Sequence, residues 1–308
     1  MSMENRDGLI WMDGDLIPWR DAKVHVLTHT LHYGSGAFEG LRAYETEKGA
    51  AIFRLEDHLK RFYNSAAILH MPMTFPKEIV RDAHVEVVRA NKLNATYIRP
   101  LVFYGSEKMG VSNIGLKTHV MIAAWEWGAY LGKEALEKGI RVKVSSFSRH
   151  HVNITMCKAK AVGNYMNSTL ALEEALRCGY EEAILLDTEG FVAEGSGENI
   201  FVLRNNILYT PTLDSCLEGI TRDTVITLAA DHGIEVVEKR ITRDELYIAD
   251  EVFFTGTAAE VTPVCEVDGR KVGKGVPGPL TTKLQTAYLD VVSGKNSKYH
   301  HWLTWVYQ

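Results

Sequence analysis

Residues 157–165 read CKAKAVGNY, which sets Lys160 five positions before Tyr165. A lysine amine attacks a carbonyl only when deprotonated, and burial favours its neutral form. A phenol close by can hydrogen-bond a ring oxygen of a bound cofactor. The pair therefore suits Schiff-base chemistry. The plain alternative is a solvated lysine and a packed tyrosine, the commoner outcome for a lysine taken alone.

Three small-residue segments could serve the same chemistry. Residues 194–201 (EGSGENIF) combine Glu194 with glycines that let backbone approach a ligand closely. A carboxylate there could pair with a pyridinium nitrogen and keep the ring electron-poor. A glycine-rich turn with solvated acids reads equally well. Residues 217–222 (LEGITR) put Gly219 just before a helix start, where free N–H groups and the Thr221 hydroxyl suit a phosphate. An ordinary capped helix is the alternative. Residues 256–260 (GTAAE) form a similar turn after a strand.

The elements that must carry these residues are legible as periodicities. Strands are expected over 37–44, 51–53, 96–104 and 119–125, with helices over 55–69 and 78–91. On the strand 96–104, alternation turns Tyr97 and Arg99 to one face. Two glycines after Trp127, Gly128 and Gly132, end the strand pattern, so a linker is expected over 127–138, between a domain 1–126 and a domain 139–308. Beyond it, strands are expected over 140–146, 182–187, 198–203, 207–210 and 251–254. Helices are expected over 161–177, 221–232 and 279–292. The mixture argues for α/β and α+β parts rather than a bundle or sandwich.

Composition sets the outer limits. The chain has 308 residues, 46% hydrophobic and 24% charged, with a formal net charge of -5. Its length exceeds the ~250–300 residues at which a single core stops growing, which favours two domains. No block of like charge invites nucleic acid or an anionic membrane, and no segment reaches the ~18 apolar residues of a membrane span. Cys157, Cys178, Cys216 and Cys265 are scattered with no CxxC pair. Disulfides are not expected, and the chain reads as cytoplasmic. His25, His29 and His32 and the pairs at 150–151 and 300–301 lack the converging ligands of a zinc site, so no metal is expected.

Taken together, these residues resemble the class IV, or fold type IV, pyridoxal-phosphate aminotransferases. The resemblance runs through Glu194, Ser196, Asn199-Ile200-Phe201, Leu208, Thr210, Leu217, Gly219, Ile220 and Arg222. Over nearly the whole chain it is similar to the bacterial branched-chain amino-acid aminotransferases. The segments carrying this wider likeness are residues 29–44 (HTLHYGSGAFEGLRAY), 97–100 (YIRP), 127–131, 160–165 and 256–260. Residues 148–156 (SRHHVNITM) and 106–109 (SEKM) depart from it.

The resemblance implies a small N-terminal α+β domain, a larger C-terminal pseudo-barrel domain and pyridoxal 5'-phosphate as cofactor. It selects Lys160 over nearby Lys158 as the Schiff-base lysine and α-proton base. Tyr165 would meet the cofactor's O3′ and Glu194 its ring nitrogen. Arg61, Gly219, Ile220, Thr221, Gly256 and Thr257 would hold the phosphate end.

Substrate would meet Tyr33, Phe38, Gly40, Tyr97, Arg99, Val111, Trp127 and Tyr130, with Thr257, Ala258 and Ala259 on its α-carboxylate. A pocket for both an aliphatic side chain and glutamate needs apolar walls and a reachable cation, and Arg99 with Tyr97 would supply that cation. The resemblance also implies a homo-oligomer with a dimer as its minimum unit, or a hexamer. A D-amino-acid aminotransferase or an aminodeoxychorismate lyase would share Lys160 and Glu194. A non-catalytic protein of the same fold would be expected to lose the lysine or its supports.

Overall fold

The computed structural model describes residues 2–128 and 131–308. Tyr130 of the expected substrate pocket lies outside them. The chain divides into two compact units, residues 1–127 with 159–163 and 291–308, and residues 128–158 with 164–290.

The first unit opens with a hairpin, β1 (Leu9–Met12) and β2 (Asp15–Pro18), turned by Asp13-Gly14 with φ of 50° and 108°. Both central residues are left-handed, as a two-residue hairpin turn demands, and Asp-Gly is its usual signal. The strand expectations omitted this pair. The short helix α1 (His29–Tyr33) follows, then β3 (Gly36–Phe38), β4 (Leu41–Thr46), β5 (Gly49–Phe53), α2 (Leu55–Ile68) and α3 (Lys77–Ala90). The long antiparallel pair β6 (Thr96–Tyr104) and β7 (Thr118–Trp125) completes this stretch. The apolar face of α2, Leu55, Leu59, Phe62 and Ala66, is buried with Val80, Ala83 and Val87 of α3. Burying a side chain of the Leu or Phe class contributes about 1.5–3 kcal/mol.

The single strand expected over 37–44 is two. β3 pairs with β6 through Phe38 opposite Leu101, and β4 resumes with Leu41 opposite Ile98. Glu39 and Gly40 fall between. Pro100 sits opposite this gap, and its carbonyl accepts from Glu39 N at 3.1 Å. The N–H that proline lacks would point the same way, so the break in pairing costs β6 no ladder bond there.

The second unit contains α4 (Lys133–Lys138), β8 (Ile140–Val144), α5 (Tyr165–Arg177), β9 (Glu182–Leu186), β10 (Val192–Gly195), β11 (Asn199–Arg204) and β12 (Ile207–Thr210). It continues with α6 (Ile220–Asp231), β13 (Val236–Glu238), α7 (Arg243–Tyr247), β14 (Glu251–Gly256), β15 (Glu260–Val267) and β16 (Arg270–Lys271). The helix α8 (Pro279–Val292) follows, its last two residues falling in the first unit. The sheet order is β10-β9-β8-β15-β14-β11-β12-β13, with β16 on β15 and parallel pairs at β8–β9, β8–β15 and β12–β13. On α5, Ala171 and Ala175 pack on Ala183 and Leu185 of β9.

Two segments depart from the sequential division expected at 139. The chain ends in β17 (Leu303–Trp305), which pairs antiparallel with β5 and closes the order β17-β5-β4-β6-β7-β1-β2. Residues 159–163 also belong to the first unit. Phe38 N donates to Lys160 O at 3.0 Å, Ala37 bridges Ala161, and Gly163 N donates to Gly34 O at 3.1 Å. These bonds hold Lys160 and Ala161 extended, so the helix expected from 161 starts at Tyr165 instead. Part of the expected linker is helical, since α4 occupies Lys133–Lys138.

Candidate functional site

In the first unit the sheet break places Phe38, Glu39 and Gly40 beside Tyr97 and Arg99 of β6. Lys160 is tied at both ends of its peptide, its N–H donating to Ser65 Oγ at 3.0 Å. Its Nζ lies 5.2 Å from the centre of the Phe38 ring. The Arg99 guanidinium lies over the same ring at 4.7 Å and donates to Tyr97 Oη at 2.9 Å. Tyr97 packs edge-on to Trp127 with ring centres 4.7 Å apart. A Cβ at Gly40 would collide with the Tyr97 hydroxyl, so glycine is required for this close approach.

Arg61 sits in a charged cluster that the sequence did not reveal. Its Nε donates to Glu39 Oε1 at 2.5 Å and its Nη2 to Glu39 Oε2 at 2.9 Å. His58 Nδ1 meets the same Oε2 at 2.8 Å, and Glu39 is 0% exposed. Burial opposes ionisation of Glu39. The Arg61 charge and hydrogen bonds from His58 and Arg61 outweigh it and hold the carboxyl well below the usual range. Burial also pushes the His58 imidazole down, against the bond to Glu39. His58 and Arg61 stand three apart on α2, so one helical face carries both. That spacing was the available signal, but Glu39 joins them only through the fold.

Tyr33 and Val111 stand apart from this cluster. Gly110 N donates to Tyr33 Oη at 3.2 Å, and Val111 is 85% exposed on the loop beside it.

In the second unit the expected cofactor residues lie on β10, at the starts of α5 and α6, and around the turn after β14. Glu194 on β10 is nearly buried. Its Oε1 is 2.8 Å from Arg149 Nε, and its Oε2 accepts from Leu217 N at 3.3 Å. The segment after Leu217 leads into α6, which starts behind Gly219 with no side chain capping it. Ile220 and Thr221 are buried there. Asn199 of β11 donates to Leu217 O at 3.0 Å, and a Cβ on Gly219 would collide with Asn199 Oδ1. Gly256 ends β14, and Thr257, Ala258 and Ala259 form the turn into β15. Thr262 Oγ1 donates to Ala259 O at 2.6 Å, and Glu260 takes a left-handed φ of 56°. Beside the turn, Thr255 Oγ1 is buried with no hydrogen-bond partner. Tyr165 opens α5.

The two nearby lysines differ in their partners. Lys158 donates to Leu213 O and pairs with Glu218 at 3.3 Å, which anchors the loop before α6. Arg149 was missed altogether. It lies in the segment whose sequence departs from the resemblance, and nothing local marks it as a partner of Glu194.

A helix N-terminus entered through a glycine suits a phosphate, and a buried carboxylate suits a protonated ring nitrogen. The donor set of the second unit therefore fits a phosphorylated pyridine ring. No helix among the described residues is long and apolar enough to cross a membrane.

Comparison with known proteins agrees with this chemistry. Residues 36–267 match the family described as Amino-transferase class IV. The branched-chain-amino-acid aminotransferase of Pseudomonas aeruginosa is 60% identical over 306 residues, 99% of this chain and 100% of its own. The branched-chain amino acid aminotransferase of Escherichia coli superposes with a TM-score of 0.95 at 46% identity, covering 98% of this chain and 100% of that one. Another solved branched-chain amino acid aminotransferase, from T.th. and complexed with N-(5'-phosphopyridoxyl)-L-glutamate, gives 0.93 at 51% identity, covering 98% of this chain and 99% of that one.

Proposed function

Since the chain belongs to the class IV aminotransferases, and among them to the branched-chain-amino-acid aminotransferases, we propose the following roles for its residues around pyridoxal 5'-phosphate, the cofactor of the class. The reaction is reversible amino transfer from leucine, isoleucine or valine to 2-oxoglutarate. When bound, the cofactor supplies a carbonyl for amine exchange and a ring that withdraws electrons.

Lys160 would hold the cofactor through Nζ, and its freed amine would serve as the base that accepts the proton from the substrate α-carbon and as the acid that delivers it on the cofactor side. The observation that carries this role is the seating of Lys160. Its peptide is locked to Ser65 and Phe38, and its amine stands over the Phe38 ring. Lys158 is engaged with Leu213 and Glu218.

Glu194 pairs with the ring nitrogen, and Tyr165 donates to the ring oxygen. Gly219, Ile220 and Thr221 at the start of α6, with Arg61, Gly256 and Thr257, hold the phosphate. Thr257, Ala258 and Ala259 hold the substrate α-carboxylate. Phe38, Gly40, Tyr97 and Trp127 shape an apolar space for a branched side chain. Arg99, steered by its bond to Tyr97, receives the second carboxylate of glutamate. The T.th. complex with phosphopyridoxyl-glutamate supports a glutamate-binding site in the family.

The enzyme is cytoplasmic and at least dimeric in this reading. Four free cysteines accord with a reducing compartment. A groove of about 240 Å³ lined by Ile10, Met12, Val24, Leu31, Leu101 and Met121 leaves apolar surface for a second copy. Tyr33 and Val111, exposed in one chain, would then reach the active site of the other.

The visible spectrum tests the central assignment. The wild type is expected to be yellow, to bleach with leucine and to recover with 2-oxoglutarate. Lys160→Ala is expected to show neither the Schiff-base band nor the cycle. A wild type that stays colourless after reconstitution refutes the cofactor role of Lys160. A coloured protein that ignores leucine refutes the substrate assignment.

A further inference from the structure

We propose that Arg149 is a positioning residue for the cofactor ring. Its guanidinium holds the Glu194 carboxylate as a charged, oriented acceptor, so that the ring nitrogen is recognised by an Arg149–Glu194 pair rather than by Glu194 alone. The inference rests on the role of Glu194 proposed above.

Several contacts build the pair. Arg149 N donates to Leu186 O at 2.7 Å, at the end of β9. β9 is the strand on which β10 pairs, with Leu185 opposite Glu194. Both side chains are therefore anchored to one pair of adjacent strands. Arg149 Nη1 donates to Asn167 Oδ1 at 3.3 Å, and Asn167 Nδ2 donates to Ser148 O at 2.9 Å, so α5 steadies the guanidinium from the other side. The pair is shielded, with side-chain exposures of 7% for Arg149 and 8% for Glu194. Arg149 Nε lies 2.8 Å from Glu194 Oε1 without hydrogen-bond alignment, so charge carries the contact. The second oxygen, Oε2, takes the Leu217 N–H.

This arrangement has a chemical consequence. A buried carboxylate is costly as an ion unless a cation shares its site. Arginine never gives up its proton at working pH, so it supplies that charge without competing for the proton on the ring. The neighbouring thiols do not. Burial pushes Cys157 and Cys216 up, and the Glu194 charge adds to it, which leaves both neutral. Leu217 lies two residues before Gly219, so the backbone that steadies Glu194 also runs directly into the phosphate-facing start of α6.

The test compares dissociation constants of pyridoxal 5'-phosphate and its 1-deaza analogue, in which carbon replaces the ring nitrogen. The full chain is used, stripped of cofactor, as wild type, Arg149→Gln, Arg149→Lys and Glu194→Gln. The wild type is expected to prefer the natural cofactor, and Arg149→Gln to cut that preference about tenfold, the worth of one charge-assisted contact. Binding of the deaza analogue is expected to change little. Arg149→Lys keeps the charge without the planar fork and is expected to fall between, and it carries the test if Arg149→Gln does not fold. A variant that weakens both ligands equally, or leaves the preference untouched, overturns the inference. An unchanged preference in Glu194→Gln refutes the role of Glu194 itself, a separate failure.

Discussion

Lys160 and Arg99 of the first unit stand over one phenylalanine ring. Lys160 is proposed to work at the α-carbon and Arg99 at the far carboxylate of glutamate. Phe38 presents its ring to both, at 5.2 and 4.7 Å. A ring can face a cation and an aliphatic chain alike, which suits a pocket that must accept leucine in one half-reaction and glutamate in the other. Arg99→Leu is expected to separate the two. Losing a carboxylate-binding guanidinium costs about 2 kcal/mol or more, so kcat/KM for glutamate and 2-oxoglutarate should fall roughly 30-fold or further. For leucine the change should be under about threefold by the same argument, since no charge meets its side chain. Parallel steady-state assays decide, and an equal fall for both substrates would remove Arg99 from the specificity site.

At the scale of elements, helices α2 and α3 do more than cover the sheet. They bring buried histidines against the Glu39 cluster. His84 Nδ1 on α3 donates to Val80 O, 2.6 Å away, and its pKa is pushed down to about 4. Burial is the main cause, with nearby His58 adding to it, and the Val80 bond and Glu39 oppose it. The sign follows from linkage. The unfolded chain takes up a proton at this residue as pH falls through about 6.5, while the folded chain refuses it until about 4. Stability is therefore intact above about 6.5 and lost progressively down to about 4, by an amount on the order of 3 kcal/mol. His84→Gln is expected to flatten the dependence of urea midpoint on pH in that window. An unaltered slope would mean that the histidine is protonated in the folded state.

For the whole molecule, the first unit is closed by residues from the far end of the chain. β17 pairs with β5, Leu303 and Val306 are buried, and Arg89 of α3 donates twice to Val306 O, at 3.0 and 2.5 Å. Deleting residues 303–308 uncovers the edge of β5. Two lost apolar side chains at about 1.5–3 kcal/mol each should lower the melting temperature of the first unit by several degrees or more. A truncated chain that melts with the full-length protein would show that β17 is a decoration.

Much of this protein can be read from the order of its residues. Amphipathic spacing marks α2 and α3, alternation puts Tyr97 and Arg99 on one face of β6, and the long motif around Glu194 identifies the class. These are local properties, decided within a few residues by helix and strand periods of about 3.6 and 2. The Glu39–His58–Arg61 cluster, the Arg149–Glu194 pair and the return of residues 159–163 and 291–308 were not legible. The first joins residues 22 apart in sequence, and the last joins β17 to a strand near the other end of the chain. No local rule decides such pairings. They follow from which strand lies beside which in each sheet, and from the cost of burying a charge that finds no partner there.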